Sequence, residues 1–473
     1  MSEPKLGAKV RALRRRENLT QMQLAERLSI SASYLNLIEH NRRPLSAQLL
    51  IRLAQIFALD LQAFATEGED QLVSDLLEAL GDPVFDAYAL TGGEVRDFAA
   101  NNPQVARALL ALYRTWHGAR DTSSSDPSED SVQTEQPGEE VIDLIQKHRN
   151  YFPEIEEAAE VLTRVARTDQ RDLVSALSDY VRAVHGIEVR WLGPVGPTAT
   201  RFDVRRYDAV SHVLELSETL VPSSRAFQLA HQIALLDHSD LLDRIARDQT
   251  LTSPEARALA RIALANYFAG AVMMPYLRFL EFARSRRYDI DLLCHRFGVS
   301  FEQVCHRLTT LHRPGHEGVA FHFLRVDIAG NVSKRFSASG FRFARFSGAC
   351  ALWNEHRAFA VPGVLRVQIS VMPDGQRYLG IARTVQDPWG SHKGSSIPKV
   401  VGLGCEIAAA AHVVYADGLD LASDAVVVPI GSACRVCERM TCVQRAFPSR
   451  LWAQKLDENV RGRSFYVSVD GAN

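Results

Sequence analysis

The chain has 473 residues, 46% of them hydrophobic and 23% charged, a globular composition with material for two or three domains. Its net charge of −2 gives it no overall field that draws nucleic acid, so any such function must sit in a local basic region. No run reaches the roughly 18 apolar residues that span a membrane. The opening "MSEPKLGAKVRALRRRENLT" lacks an apolar export segment, and seven scattered cysteines suit a reducing compartment, so a cytoplasmic protein is expected.

The first 66 residues form the expected head. Residues 1–65 hold ten Lys/Arg against five Asp/Glu, an excess of five positive charges on a chain that is negative overall. Leu6, Val10 and Leu13 stand at helical spacing. "LTQMQLAERL" offers Thr20 as N-cap and a buried side of Met22, Leu24, Ala25 and Leu28. "SISAS" breaks the period for a turn, and "SASYLNLIEHNRRP" resumes it with Leu35 and Ile38 inward. Two short helices joined by a tight turn form a helix-turn-helix, whose second helix enters the major groove. Its outer face must be short and polar, which selects Ser31, Ser33, Tyr34 and Asn36. Gln21 can reach a phosphate or a base-reading neighbour. Arg14, Arg15, Arg16, Arg42 and Arg43 are expected on backbone phosphates, giving affinity rather than sequence choice, and Asn41 beside them is a further candidate DNA contact. The segment "TQMQLAERLSISASYLNLIEHNRR" resembles the Cro/repressor (XRE) helix-turn-helix family.

Residues 67–118 read as a helical connector. Residues 119–140, "ARDTSSSDPSEDSVQTEQPGEE", have too little apolar surface to order themselves and read as a flexible linker. Residues 141–315 follow as a largely helical domain, and 316–473 as a sheet and cysteine-cluster domain.

In the helical domain "FQLAHQIALLDH" holds half of a zinc motif. His-Glu-x-x-His puts two metal-binding histidines on one helix face, with the glutamate as general base. Here His231 stands alone; Gln232 cannot take a proton from water and Leu235 cannot bind a metal. Downstream, "ALANYFAGAVMMPYLRFLEFA" and "LLCHRFGVSFEQVCHRLTTL" follow in the order of the ImmA/IrrE metallopeptidase family, which the region resembles. In that family an acid precedes the Ala-Asn pair; here the position is Leu264. The resemblance therefore implies an inactive peptidase scaffold and no enzyme. Its cleft is free for a ligand, with His231, Asn266 and Tyr267 as lining candidates. For Asn266 a helix-to-helix hydrogen bond competes with ligand contact.

Before this helix, "RFDVRRYD" clusters Arg201, Arg205 and Arg206 beside Tyr207, which suits a nucleotide diphosphate and stacked base, or equally a salt-bridged surface hairpin. After it, "FHFLRVDIAGNVSKRFSASGFRFARFSGACALW" and "GVLRVQISVMPDGQRYLGIARTV" alternate as strands of an antiparallel sheet, with Lys334 and Arg335 adding positive charge as further candidate ligand contacts. "GSACRVCERMTCVQRAFP" then brings Cys434, Cys437 and Cys442 together, for which an iron–sulfur cluster, a structural zinc and a metal-free redox pair all remain open. Cys350 and Cys405 are candidate fourth ligands.

Taken in order, the head, the zinc-less scaffold, the "RVDIAGNVSKRFS" sheet and the tail "CRVCERMTCVQRAFP" resemble the short-chain fatty acyl-CoA regulators over nearly the whole chain. The resemblance implies a multidomain α+β transcription factor: an all-α head, a helical scaffold with antiparallel β elements, and a β-containing cysteine domain. It implies a homodimer or higher oligomer on double-stranded operator DNA. An acyl-CoA effector, propionyl-CoA first and acetyl-CoA next, is implied in the former protease cleft, with control of propionate or acetate assimilation. For some members it also implies an iron–sulfur cluster on the three cysteines.

Overall fold

The computed structural model describes residues 10–11, 13–14, 19–39, 42–43, 45–57, 69–88, 90–122, 137–168, 171–193, 204–344, 349–385, 397–449, 463–464 and 466. The chain divides into two compact units. The first takes Met1–His117, Ala344–Ser347 and Ala433–Asn473; the second takes Gly118–Phe343 and Gly348–Ser432.

In the first unit, helix α1 (Gln21–Leu28) starts at a capping box in which the Thr20 hydroxyl accepts from the Gln23 backbone N–H and Gln23 Oε1 accepts from the Thr20 backbone N–H. It ends at Ser29, whose φ of 57° is left-handed. Helices α2 (Ala32–Glu39) and α3 (Ala47–Phe57) follow. Leu24, Leu28, Leu35, Ile38 and Leu53 close a core between them, and Met22, placed inward by the sequence pattern, is exposed instead. A second core, around Leu76, Ala99, Ala106 and Leu110, joins α4 (Glu69–Leu80), α5 (Gly92–Asn101) and α6 (Pro103–Thr122). The cysteine segment packs here: a Cβ on Gly81 would lie 2.7 Å from Val436 Cγ1, and Arg96 pairs with Glu438. The sequence boundaries place this segment with the sheet; the structure groups it with the connector, because Gly81 leaves the room that Val436 fills.

The second unit opens with α7 (Pro137–Lys147), so the last four residues of the expected linker are helical; residues 123–136 lie outside the described residues. Helices α8 (Pro153–Val165) and α9 (Leu173–His185) lead into a three-stranded sheet of β1 (Glu188–Leu192), β2 (Arg205–Asp208) and β3 (Val213–Ser217), ordered β1-β3-β2. This sheet is not purely antiparallel. β2 carries the chain back, so β1 and β3 run the same way. Next come α10 (Pro222–Asp237), α11 (Ser239–Ile245), α12 (Pro254–Met273), α13 (Tyr276–Ser285), α14 (Ile290–Phe297) and α15 (Phe301–Leu308). Leu229, Ile233, Leu264 and Phe268 pack α10 against α12 at the centre. Arg307, fully buried, pairs with buried Glu156 at 2.6 and 2.9 Å, and Tyr267 donates to the same carboxylate at 2.7 Å.

A six-stranded sheet completes the unit, ordered β5-β4-β8-β7-β6-β9: β4 (Phe321–Asp327), β5 (Val332–Ser337), β6 (Arg366–Val371), β7 (Arg377–Val385), β8 (Lys399–Glu406) and β9 (Val427–Pro429). A short helix, α16 (Asn354–Ala358), lies against β6, β7 and β8. The sheet is antiparallel as expected, except that β9 joins the β6 edge in parallel. Among the described residues no single helix is long and apolar enough to cross a membrane.

Candidate DNA interface and ligand-binding site

The head presents α2 as a reading helix. Ser31, Ser33 and Asn36 are exposed, Tyr34 is half-buried against the core, and the Ser31 hydroxyl accepts from the Tyr34 amide at 3.1 Å to start the helix. Arg42 and Arg43, just beyond it, are exposed. The structure reassigns two residues expected on phosphates. Arg14 donates to both carboxylate oxygens of Glu39, at 2.6 and 3.0 Å, and Gln21 donates to the same carboxylate at 2.8 Å. Glu39 is 2% exposed. Burial opposes its charge, but Arg14 and Gln21 hold its carboxyl below the ordinary value. Arg14 and Gln21 thus fix the two motif helices to each other through an acid that sequence pattern did not single out. Arg15, Arg16 and Asn41 lie outside the described residues.

The former zinc helix, α10, carries His231 at 4% exposure. Leu235 and Leu264, at the positions of the missing ligands, pack into the surrounding apolar core, and Gln232 is buried. Facing His231 is a side chain from β2: Arg205 Nη1 lies 2.5 Å from His231 Nδ1 and also donates to the Gln228 carbonyl at 3.3 Å. Burial and the Arg205 charge push the His231 ring down to about 3, so it is neutral, and a bond to the Ile262 backbone opposes that shift without reversing it. Neutral Nδ1 then accepts from the guanidinium. Burial also pulls Arg205 down to about 10, and no carboxylate among the described residues pairs with it. A guanidinium therefore sits against the one zinc-type histidine that remains, with its charge uncompensated by this chain's described acids.

Strand alternation divides the "RRYD" cluster. Arg205 and Tyr207 share the inward face of β2, with Tyr207 against the helical core, while Arg206 is exposed on the other face. The arginines do not form one patch, and Arg201 lies outside the described residues. Other expected ligand contacts are already engaged. Tyr267 is 4% exposed and spends its hydroxyl on Glu156, which places it in the core rather than on a cleft wall. Lys334 pairs with Glu302 at 3.4 Å, and Arg335 pairs with Glu139. Asn266 is half-buried and makes no side-chain hydrogen bond among the described residues.

In the tail, Arg445 is buried and donates to the carbonyls of Cys434 and Cys437, both at 3.1 Å, while the Ala446 amide donates to Cys434 Sγ at 3.3 Å. Burial pushes the Cys437 thiol up against the opposing pull of Arg445 and Arg439. These donors suit a soft metal or cluster chemically. Their arrangement does not close around one: among the described residues no group of three or more Cys, His, Asp or Glu stands where it could hold a metal ion.

The fold and site define a class, a helix-turn-helix transcriptional regulator built on a peptidase scaffold that has lost its catalytic residues. Three family models match in chain order: a helix-turn-helix domain over residues 5–65, an IrrE N-terminal-like domain over 183–309, and the C-terminal domain of the short-chain fatty acyl coenzyme A regulators over 310–466. The transcriptional regulator RamB of Mycobacterium tuberculosis is 40% identical, covering 97% of this chain and 98% of its own. The regulator PrpR of the same organism is 39% identical (98% and 96%), and the propionyl-CoA carboxylase regulator of Cereibacter sphaeroides 41% (98% and 98%). A solved Mycobacterium tuberculosis transcriptional regulator is 43% identical, with a TM-score of 0.66 over 70% of this chain and 100% of that one. The chain belongs to the short-chain fatty acyl coenzyme A regulators. It is a DNA-binding transcriptional regulator and not an enzyme.

Proposed function

We propose that this regulator senses a short-chain acyl-CoA, propionyl-CoA ahead of acetyl-CoA, and controls genes of propionate or acetate assimilation. The observation that carries the reading is Arg205 on His231. A half-buried guanidinium with no acid partner among the described residues is suited to a phosphate, and it stands against the residue that a zinc would have used. The adenosine diphosphate end of CoA supplies such an anion. The family description and the name of the Cereibacter sphaeroides relative support the choice of effector. A homodimer sets two α2 helices in successive major grooves, about one turn apart. The effector changes DNA affinity only by as much as its own affinity differs between the two arrangements of the heads.

The test is calorimetric titration of the full chain with propionyl-CoA, acetyl-CoA and free CoA, followed by operator binding with each. Propionyl exceeds acetyl by one methylene, about 0.8 kcal/mol when buried, so a preference of a few-fold is expected. Saturable binding that favours an acylated form and shifts operator affinity supports the reading. No binding of any of the three overturns it.

A further inference from the structure

The reading helix carries one side chain that breaks its polar face. Leu37, on α2, is 38% exposed. The core of the head takes Leu35 and Ile38 from the same helix, and Leu37 is not among the residues packed against that core. A single exposed leucine is ordinary on a protein surface. What distinguishes Leu37 is its place on the helix.

Ser33 and Leu37 stand four residues apart, so one helical turn brings them to the same outward face, with exposed Asn36 beside them. Side chains at this spacing are about 5–6 Å apart. Successive base pairs are about 3.4 Å apart along a duplex. A duplex in the reading position therefore offers Leu37 an edge one or two base pairs from the edge that faces Ser33.

The backbone fixes how far Leu37 reaches. Its carbonyl accepts from the backbone N–H of Arg42 at 2.8 Å and from that of Arg43 at 3.2 Å. Both arginines are exposed. Phosphate contacts set the register and orientation of a protein on the duplex. Contacts made from this turn are passed to Leu37 through two hydrogen bonds to its own carbonyl.

The chemistry of the groove then selects the partner. Base edges in the major groove present donors and acceptors, and the C5-methyl of thymine is the apolar group among them. Leucine has neither donor nor acceptor. Against guanine, cytosine or adenine it strips water from a polar edge and returns no hydrogen bond. Against thymine it covers a methyl. We propose that Leu37 reads the C5-methyl of one thymine in the duplex that each head binds. Ser33 and Asn36 then supply the polar part of the readout and Leu37 the apolar part. Leu37 both favours one base and disfavours the other three. This role belongs to the DNA-reading head and holds whatever the effector.

The experiment starts from a duplex that the full chain selects out of a random pool. Each thymine is replaced in turn by uracil, which differs only in lacking the methyl, and affinity is read by fluorescence anisotropy at fixed salt. One buried methyl corresponds to about a three- to fivefold change in affinity, so uracil at one position per head should weaken binding by that factor. Leu37→Ala should bind the selected duplex more weakly and should no longer distinguish thymine from uracil at that position. Its affinity for random duplex should be unchanged. Met22→Ala removes another exposed apolar side chain of the head, from α1, and should keep the discrimination. If Leu37→Ala lowers the melting temperature, Leu37→Gln keeps the side-chain length. The ratio of thymine to uracil affinity within that variant, from which a general loss of stability cancels, should be close to one. Equal binding of every thymine and uracil duplex by the unaltered chain would overturn the proposal. So would a uracil penalty in Leu37→Ala as large as in the unaltered chain, which would give the methyl contact to another residue.

Discussion

Replacing Arg205 with Met separates a ligand-binding arginine from a structural one. Among the described residues the desolvated guanidinium meets a neutral imidazole and a carbonyl, and no carboxylate. A base whose folded pKa lies below its unfolded value makes the folded state less stable wherever the unfolded group is protonated, which includes pH 7. Arg205→Met should therefore leave the melting temperature unchanged or raise it. Buried Arg307 gives the opposite comparison: Arg307→Met strands the Glu156 carboxylate and should cost about 3–5 kcal/mol. With effector the order reverses. Hydrogen bonds from a charged group contribute about 1.5–3 kcal/mol, so Arg205→Met should weaken CoA binding roughly 10- to 150-fold. The factor should be the same for free CoA, acetyl-CoA and propionyl-CoA, since all three carry the same phosphates. Calorimetry at fixed ionic strength and melts without ligand measure both halves. Unchanged affinity, together with a loss of stability like that of Arg307→Met, would refute the assignment and make Arg205 a core residue.

Two further outcomes concern the head. Ser33→Ala or Asn36→Ala should weaken operator binding by about 1–3 kcal/mol per lost base contact and leave CoA calorimetry alone; anisotropy that shows equal losses on operator and random DNA would assign these residues to phosphates instead. Glu39→Ala leaves Arg14 and Gln21 without their shared acceptor, should cost about 3 kcal/mol, and should show as faster hydrogen exchange over residues 19–39. Because the folded carboxyl titrates below its unfolded value, the stability it contributes is complete above the unfolded pKa of about 4.3 and is lost as the pH falls through the lower, folded value. Exchange at these residues that is insensitive to acid would contradict that role.

Elements with strong local signals were legible before the structure. Thr20 capped α1 as its spacing required, and "PDG" turned β6 into β7. The loss of the zinc site was legible because it depends on residue types alone: Gln232, Leu235 and Leu264 cannot be ligands in any fold. What failed depended on direction. "RFDVRRYD" read as one basic patch, but a two-residue period sends Arg206 away from Arg205. Tyr267 and Asn266 are adjacent on α12, yet one helical step turns Tyr267 into the core. Partners distant in sequence were invisible: nothing in "LIEH" says that Glu39 will hold Arg14, 25 positions earlier. The close approach of Glu355 and His322 to β8 did leave a trace, since "GLGCE" is an odd sequence for a central strand, but its meaning needed α16 and β4 laid beside it.

The placement of the tail bears on how the molecule is made. Val436 fills the space above Gly81, and Glu438 pairs with Arg96, so the connector that follows the DNA-reading helices is completed by residues more than three hundred positions later. During synthesis the head can close its own small core as soon as it leaves the ribosome. The connector cannot be finished until nearly the whole chain has been translated. A product stalled before residue 436 would carry a formed reading head on a connector that lacks its contacts with Val436 and Glu438.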